Sequence, residues 1–272
     1  MGRLSAALAE RIDREARSRL RVREIDGMLL LETCLPGQFR ALFTTRIGGE
    51  STGAFTSLNL DPRSSDSPGV VARNRARIAM AVGNQLVSPA QVHGLRVLGA
   101  AEYVRQQPDT SCDALTLHPE LDSGLAALLL FADCVPVIIC GEADMAVAHG
   151  GWRGILGGIV QEARRAVPGP PAAAVIGPSI GPCCFTVGAQ VAAAFAARFG
   201  PEVVIGGSEN RGSPRVDLWA ATAKALGEVG VRQDQVVNPR LCTACNGDLF
   251  YSYRNEGPVT GRQGCAAWVA SP

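Results

Sequence analysis

Hydrophobic residues along the chain form short runs whose spacing alternates between that of strands and that of helices. Continuous apolar runs predict strands at 28–32, 41–45, 95–99, 125–131, 135–140, 145–148 and 172–176. Several of these runs contain no polar residue, which indicates strands buried on both faces. Apolar residues recur at helical spacing over 70–82, 155–166, 189–199 and 217–229. This alternation predicts mixed α and β layers in one domain, because no linker-like stretch divides two cores.

The N-terminal segment differs from the rest of the chain. Residues 5–24 predict a basic, exposed helix, in which Leu8, Ile12 and Leu20 form a thin apolar stripe among arginines. A solvated charged face is the simpler interpretation, and a nucleic-acid or partner site is the alternative. We therefore divide the chain into a basic N-terminal helical extension, residues 1–26, and a main domain, residues 27–272.

Composition excludes several classes of protein. Of the 272 residues, 47% are hydrophobic and only 5% are aromatic, so a core of aliphatic side chains is expected. Because 26 basic residues balance 25 acidic ones, no overall field attracts nucleic acid or a membrane, and we expect neither partner. No apolar run is long enough for a membrane span. The nine cysteines are an odd number, which favours reduced thiols and a cytoplasmic location.

Two of the three histidines and one cysteine fall at the ends of apolar runs, next to glycine or other turn residues. They are His93, Cys134 and His149. Two imidazoles and one thiolate suit zinc and leave the fourth tetrahedral position for water, which is typical of catalytic sites. The same residues also suit a cysteine nucleophile with a histidine base. A third interpretation is two core histidines and a buried thiol.

Two segments have the pattern of anion sites. In the first, a strand leads into a Gly-rich turn that contains Gly150, Gly151 and Arg153, and a predicted helix begins near Ile155. Glycine N–H groups and an arginine in this arrangement suit phosphate. In the second, Arg46 stands between a strand and two glycines. The simpler interpretations are turn chemistry for the first segment and a surface arginine for the second.

Four further cysteines have weaker metal-site patterns. The adjacent Cys183 and Cys184 are expected to point in different directions and to pack rather than ligate together. Cys242 and Cys245 have the spacing of half a structural zinc site or of a redox pair. Because no second CxxC pair occurs in the sequence, we expect structural thiols.

A colinear series of motifs resembles the YfiH-like laccase-domain family, also labelled multicopper polyphenol oxidases. The series runs through Thr44-Thr45-Arg46-Ile47-Gly48-Gly49, Ser57-Leu58-Asn59-Leu60, Gln91-Val92-His93-Gly94, Cys112-Asp113-Ala114-Leu115, Ala132-Asp133-Cys134-Val135-Pro136, His149-Gly150-Gly151-Trp152-Arg153-Gly154, Gly177-Pro178-Ser179-Ile180-Gly181-Pro182-Cys183-Cys184-Phe185, Asp217-Leu218-Trp219 and Phe250-Tyr251-Ser252-Tyr253-Arg254. The resemblance implies an α+β fold, a single domain of mixed β-sheets flanked by helices. The sequence departs from the family pattern at 61–66, where a Gly-His-Val-Gly-Asp-like stretch is usual.

The resemblance also implies a function and a site. The function is phosphorolysis of a purine nucleoside (adenosine, inosine, guanosine or methylthioadenosine), with adenosine deaminase activity, in a catalytic domain over 27–272. One zinc ion is expected on His93, Cys134 and His149. Contacts to nucleoside or phosphate are expected from five residues, namely Arg46, Asn59, Gln91, Gly151 and Arg153. Copper is not expected, because about four copper ions need more imidazole ligands than three histidines supply.

Two other functions stay open from the sequence. One is a hydrolase of amides or thioesters, such as a cell-wall precursor, with Cys134 as nucleophile and His93 or His149 as base. The other is a non-catalytic, zinc-stabilised binding module.

Overall fold

Fourteen strands and eight α-helices alternate along residues 3–106, 110–207 and 212–270, the parts that this computed structural model describes. The strands are β1 (Leu20–Ile25), β2 (Met28–Thr33), β3 (Phe39–Thr44), β4 (Gln85–Val87), β5 (Val97–Gly99), β6 (Ala114–Leu117), β7 (Leu125–Phe131), β8 (Val135–Cys140), β9 (Met145–Gly150), β10 (Ala173–Ile176), β11 (Val204–Ile205), β12 (Arg215–Val216), β13 (Val236–Val237) and β14 (Gln263–Val269). The helices are α1 (Arg3–Arg11), α2 (Pro68–Val82), α3 (Ala100–Arg105), α4 (Trp152–Gly157), α5 (Ile159–Arg165), α6 (Ala189–Phe199), α7 (Leu218–Glu228) and α8 (Tyr253–Glu256). Residues 1 and 2 of the predicted N-terminal extension, and residues 271 and 272 of the predicted main domain, lie outside the described residues.

The strands form two six-stranded mixed sheets and one separate pair. The first sheet has the order β1-β2-β3-β14-β7-β4, in which only the β4–β7 pairing is parallel. The second has the order β13-β10-β8-β9-β6-β5 and is parallel at its two ends. Strands β11 and β12 form the separate pair. The predicted α+β fold, with mixed sheets flanked by helices, is confirmed.

The two large sheets stack face to face and helices cover their outer faces. Leu129 of β7 and Ile138 of β8 share the core between the sheets. Their neighbours point outward: Leu128 contacts the layer of α2, and Ile139 contacts the layer of α4–α7. Both faces of these strands are buried, which explains the uninterrupted apolar runs. Each fully buried leucine in these layers contributes about 1.5–3 kcal/mol to folding.

The helix predicted over 5–24 is wrong beyond Arg11. Helix α1 ends there, and Leu20–Ile25 form the edge strand β1, paired with β2 through the two-residue turn Asp26-Gly27. Both turn residues have positive φ, 49° and 71°, as a type I′ hairpin turn requires. The apolar stripe is also buried rather than exposed: Leu8, Ile12 and Leu20 belong to the core between the sheets. Tertiary packing and strand pairing thus override the local helical spacing.

The helices are short, and one predicted helix is divided. The helix expected over 155–166 is two helices, α4 and α5, because Gly158 adopts φ 103° between them and ends the first. The longest helix, α2, has 15 residues. Within the described ranges, no helix combines the length and the hydropathy that crossing a bilayer requires.

Candidate active site

The structure brings His93, Cys134 and His149 together at one end of the stacked sheets. His93 lies in the loop before β5, Cys134 lies in the turn between β7 and β8, and His149 lies in β9. Their ligand-type atoms all lie within 4.8 Å of one another. The Cys134 Sγ atom is 3.7 Å from His93 Nε2, and the two imidazole rings are edge to face with centroids 4.7 Å apart. The three residues thus form a compact N/N/S donor set.

The turn that presents Cys134 is held by Asp133. This residue adopts φ 82°, a left-handed conformation that is uncommon outside glycine and that surrounding contacts must stabilise. Its carboxylate accepts hydrogen bonds from Thr243 Oγ1 at 2.6 Å and from the backbone N–H of Arg254 at 2.7 Å. Its carbonyl accepts one from Ile180 N–H at 2.9 Å. The position of Cys134 is therefore fixed by contacts from three distant residues, Ile180, Thr243 and Arg254.

Asp113 orients both histidines, and sequence reasoning assigned it no role. It is fully buried, and one carboxylate oxygen lies 2.8 Å from His149 Nδ1. Its two oxygens also accept the backbone N–H groups of Val92, His93 and Gly94 at 3.2, 2.9 and 2.8 Å. A proton on His149 Nδ1 leaves Nε2 free to bind a metal, the arrangement usual for zinc-binding histidines. The motif around Cys112 contains Asp113, but its spacing did not show this contact.

Gly151, expected to bind phosphate, packs against the donor set. A Cβ atom at this position would lie 2.5 Å from His93 Cδ2 and 3.5 Å from Cys134 Sγ. The first distance is too short for any real contact, so glycine is what lets the His93 ring lie here.

Replacing Gly151 with alanine is expected to displace His93 and to weaken zinc binding by about 10-fold or more, the scale of effects from disturbed ligand orientation. Gly227→Ala in α7 is the matched control, because no atom lies within 4 Å of the new methyl group and alanine favours a helix by about 0.5–1 kcal/mol. Competition for zinc with a coloured chelator measures both variants. Equal zinc affinity in the two variants would contradict this role of Gly151.

Within the donor set, Cys134 and His149 shift each other's pKa values. Burial opposes ionisation of the Cys134 thiol, but the adjacent His149 and His93 outweigh burial and lower the pKa of Cys134 to about 6. Burial also disfavours a charged His149, whereas Cys134 and Asp113 favour it and raise the pKa of His149 to about 9. Between these pH values the metal-free site holds a thiolate beside an imidazolium.

In the zinc-free protein, Cys134 is therefore expected to react with iodoacetamide at half its maximal rate near pH 6, because the thiolate is the nucleophile. Free cysteine, whose thiol pKa is about 8.5, is the comparator in the same buffers. Peptide mass spectrometry follows the reaction, and added zinc should protect the thiol. A midpoint near that of free cysteine would contradict the coupling of Cys134 to the histidines.

The donor set opens into a cavity of about 600 Å³. Four arginines line it, together with aromatic rings from three segments of the chain. The arginines are Arg63, Arg153, Arg254 and Arg262, and the aromatic residues are Trp152, Phe185 and Tyr253. Among the described residues, the exposed Arg153 guanidinium has no hydrogen-bond partner; it lies 4.3 Å over the Trp152 ring. A cationic cavity with aromatic faces suits an anion together with a flat ring.

Three of the five residues expected to contact substrate form bonds within the protein. Arg46 donates to the Glu256 carboxylate at 2.6 Å, and its guanidinium lies 4.5 Å over the Tyr251 ring, outside the cavity lining among the described residues. Asn59 is fully buried and bonds Ser64 and Asp66, which orders the loop that carries Arg63. Gln91 lines the cavity, but its amide both donates to and accepts from the backbone of Leu130 at 2.9 Å.

Fold and site together define a class of protein: two stacked mixed sheets that present a His/Cys/His donor set in an arginine-lined cavity. A family model described as multi-copper polyphenol oxidoreductase laccase matches residues 40–270, and the chain belongs to this family. The resemblance inferred from the sequence motifs is confirmed.

Curated relatives and solved structures agree with this assignment. A Pseudomonas aeruginosa protein named purine nucleoside phosphorylase is 34% identical over 239 residues, which is 86% of this chain and 95% of the relative. Escherichia coli purine nucleoside phosphorylase YfiH is 32% identical over 243 residues, 86% of this chain and 95% of the relative. A crystal structure from Neisseria meningitidis superposes with a TM-score of 0.80 at 34% identity, covering 89% of this chain and 99% of that one.

Proposed function

We propose that the protein is a zinc-dependent purine nucleoside phosphorylase with adenosine deaminase activity at the same site. The observation that carries this proposal is the direct opening of the His93/Cys134/His149 donor set into a cavity lined by four arginines and three aromatic rings. Relatives named purine nucleoside phosphorylase support it. Inosine, guanosine, adenosine and methylthioadenosine are the candidate substrates.

The donor chemistry favours one zinc ion rather than copper. Two imidazole nitrogens and one thiolate sulfur are common zinc ligands, and the hydrogen bond that His149 Nδ1–H donates to the Asp113 carboxylate is the usual outer support. The family description names copper, but three histidines in the whole chain cannot serve several copper ions. When bound, zinc supplies a Lewis acid at its open fourth position.

The chain's own residues divide the work of binding. We assign the phosphate to the arginine side of the cavity, where Arg153 forms no hydrogen bond with any described residue and Arg63 and Arg262 face the same space. We assign the purine ring to the faces of Phe185 and Tyr253, because flat bases stack on aromatic side chains. Held in this way, a phosphate oxygen faces the ribose C1′ atom while the purine leaves, so positioning supplies much of the rate. Deamination is assigned to the same site because a three-ligand zinc centre suits hydrolytic chemistry.

The proposal is tested by incubating zinc-loaded protein with inosine and with adenosine. Release of hypoxanthine should require phosphate and yield ribose 1-phosphate, and adenosine should yield ammonia. Base release that does not depend on phosphate, together with no ammonia, would exclude both reactions.

Replacing Arg153 with methionine is expected to raise the KM for phosphate by about 10–100-fold, because the loss of a hydrogen bond to a charged group costs about 1.5–3 kcal/mol. Arg46→Met is the matched control: it should lower the melting temperature by breaking the contacts to Glu256 and Tyr251. Its KM for phosphate should stay within about twofold of the wild-type value, since Arg46 lies outside the cavity lining. Steady-state kinetics with varied phosphate measure both, and the opposite ranking would overturn the assignment of Arg153.

A Cys134 hydrolase is the second candidate, favoured by one observation. The pKa of the Cys134 thiol is lowered to about 6, since the adjacent histidines outweigh burial, and this is a property of cysteine nucleophiles. That candidate requires activity on an amide or thioester that survives chelation and is lost on alkylation. Activity that returns only with zinc would exclude it.

We also propose a cytoplasmic location. None of the nine cysteines forms a disulfide, although Cys183 Sγ and Cys245 Sγ lie only 3.4 Å apart. Such unpaired cysteines persist in a reducing compartment.

A further inference from the structure

A second set of metal-type donors lies behind one wall of the cavity. Four sulfur atoms converge within 4.8 Å of one another, and they belong to Cys183, Cys184, Cys242 and Cys245, here called the four-cysteine cluster. Cys245 Sγ is 3.4 Å from both Cys183 Sγ and Cys184 Sγ. The expectation that adjacent Cys183 and Cys184 point in different directions is wrong, because the loop after Gly181 turns both thiols toward the same CxxC pair.

The spacing of these sulfurs fits one tetrahedral ion. With a Zn–S bond of about 2.3 Å, sulfurs at the corners of a tetrahedron lie about 3.8 Å apart. The cluster spans separations from 3.4 Å to at most 4.8 Å, around this value. An iron–sulfur cluster places several irons and sulfides among its cysteines and so spreads the thiolates further apart.

One backbone N–H donor and two guanidinium groups lie around the cluster. The backbone N–H of Gly181 donates to Cys242 Sγ at 3.2 Å, an outer contact of the kind that supports metal-bound ligands. Arg215 donates to the Cys183 carbonyl at 3.3 Å and Arg254 donates to the Cys184 carbonyl at 3.1 Å. Four thiolates and one divalent ion carry two net negative charges, which these two guanidinium groups offset.

We propose that the four-cysteine cluster is a structural zinc site, separate from the His93/Cys134/His149 set. Zinc is favoured over a single iron ion because thiolate ligands in a closed tetrahedron select zinc, which binds more tightly than Fe²⁺ in the usual order of divalent metals. With four protein ligands, the ion has no open position and takes no part in a reaction.

The consequence of such a site is a cross-link between two loops that build the cavity wall. Ile180 and Phe185 flank Cys183 and Cys184, while Tyr253 and Arg254 follow the CxxC pair, and all four line the cavity. Thr243, between Cys242 and Cys245, also bonds Asp133 beside Cys134. A zinc ion here holds the wall in place without touching substrate.

The test is a count of zinc ions per chain in protein purified without chelator. Native mass spectrometry of the wild type should show two zinc ions, a measurement that needs no variant. Elemental analysis should find one ion in Cys245→Ser, one in Cys134→Ser and two in the control Cys34→Ser, whose exposed thiol lies outside both sites. Cobalt substitution of Cys134→Ser should give the strong thiolate-to-cobalt absorption of a four-sulfur site. Cys245→Ser should also melt about 5–10 °C lower than the wild type, because structural zinc contributes directly to folding.

Three results would overturn the site. The first is a wild-type protein that holds at most one zinc ion, if Cys245→Ser retains that ion. The second is a disulfide among the four cysteines in protein freshly isolated without added oxidant or reductant. The third is iron in place of zinc in elemental analysis. The test is independent of phosphorolysis: Cys245→Ser should keep the zinc ion of the His93/Cys134/His149 set, and Cys134→Ser should keep that of the four-cysteine cluster.

Discussion

Cys134→Ser is expected to lose the zinc of the candidate active site. Its kcat/KM for phosphorolysis is expected to fall by about 100-fold or more. Disturbing an outer partner of a metal ligand already costs about 10–100-fold, so removing the ligand itself should cost at least as much. Serine has nearly the same size as cysteine, but its hydroxyl is a much weaker zinc ligand than a thiolate. The other two ligands remain, held by Asp113.

Zinc content, kinetics with inosine and the melting temperature measure this variant. Cys34→Ser is the control for the loss of a thiol, because Cys34 is exposed and lies outside the donor set. Cys134→Ser should fold, since its side chain is only partly buried. Wild-type activity in a folded Cys134→Ser protein would show that the donor set is not the catalytic centre.

Asp113→Asn is expected to lower zinc affinity by about 10–100-fold, with a comparable fall in kcat/KM. The amide of asparagine places an NH₂ group where the carboxylate accepts His149 and the backbone N–H groups of the His93 loop. Its stability should also fall by about 2–4 kcal/mol, because each buried donor left without an acceptor costs about 1–3 kcal/mol. The zinc-free protein should show the loss of stability as well.

Asp122→Asn is the matched control for Asp113→Asn. Asp122 is also buried, and it accepts the backbone N–H groups of Ala101 and His118 at 2.7 Å, away from the donor set. The Asp122→Asn variant should be less stable than the wild type but should keep the wild-type zinc affinity and kcat/KM. If the two variants lose zinc to the same degree, Asp113 acts through general stability rather than by orienting the histidines.

The sequence predicted the three residues of the donor set better than the residues that hold them in place. His93, Cys134 and His149 fall at the ends of apolar runs, which made them candidates, and the resemblance to the family assigned them to one site. The structure brings their ligand-type atoms within 4.8 Å of one another. Asp113 was not foreseeable, because a carboxylate before a strand has no local feature that reveals a partner 36 residues away. Gly151 was assigned to phosphate, whereas its packing against His93 depends on a tertiary contact.

Local sequence also could not show which arginines line the cavity. Arg46 and Arg153 have similar sequence surroundings, but only Arg153 lines the cavity, because Arg46 finds Glu256 and Tyr251 across the fold. Arg63 and Arg262 were given no role in binding, since neither follows a predicted strand. The four-cysteine cluster was missed for a related reason: two cysteine pairs that are each weak signals lie about 60 residues apart and meet only in the folded chain.

In the fold, long apolar runs were predicted well and small-residue strands were not. Strand β7 contains four leucines and a phenylalanine, whereas its neighbour β14 contains glycine and two alanines, which are weak strand formers. Strand β1 was concealed by helical spacing, although the Asp26-Gly27 turn is a strong hairpin signal. Local pattern therefore identified the central strands, and pairing with distant strands decided the rest.

Incubating the zinc-loaded protein with inosine and labelled phosphate tests most directly whether this cavity carries out phosphorolysis. Hypoxanthine and labelled ribose 1-phosphate should form in equal amounts, should cease when a chelator removes zinc, and should return when zinc is restored. Formation of hypoxanthine with no label in the sugar, or no hypoxanthine from fully zinc-loaded protein, would contradict the assignment of this cavity to phosphorolysis.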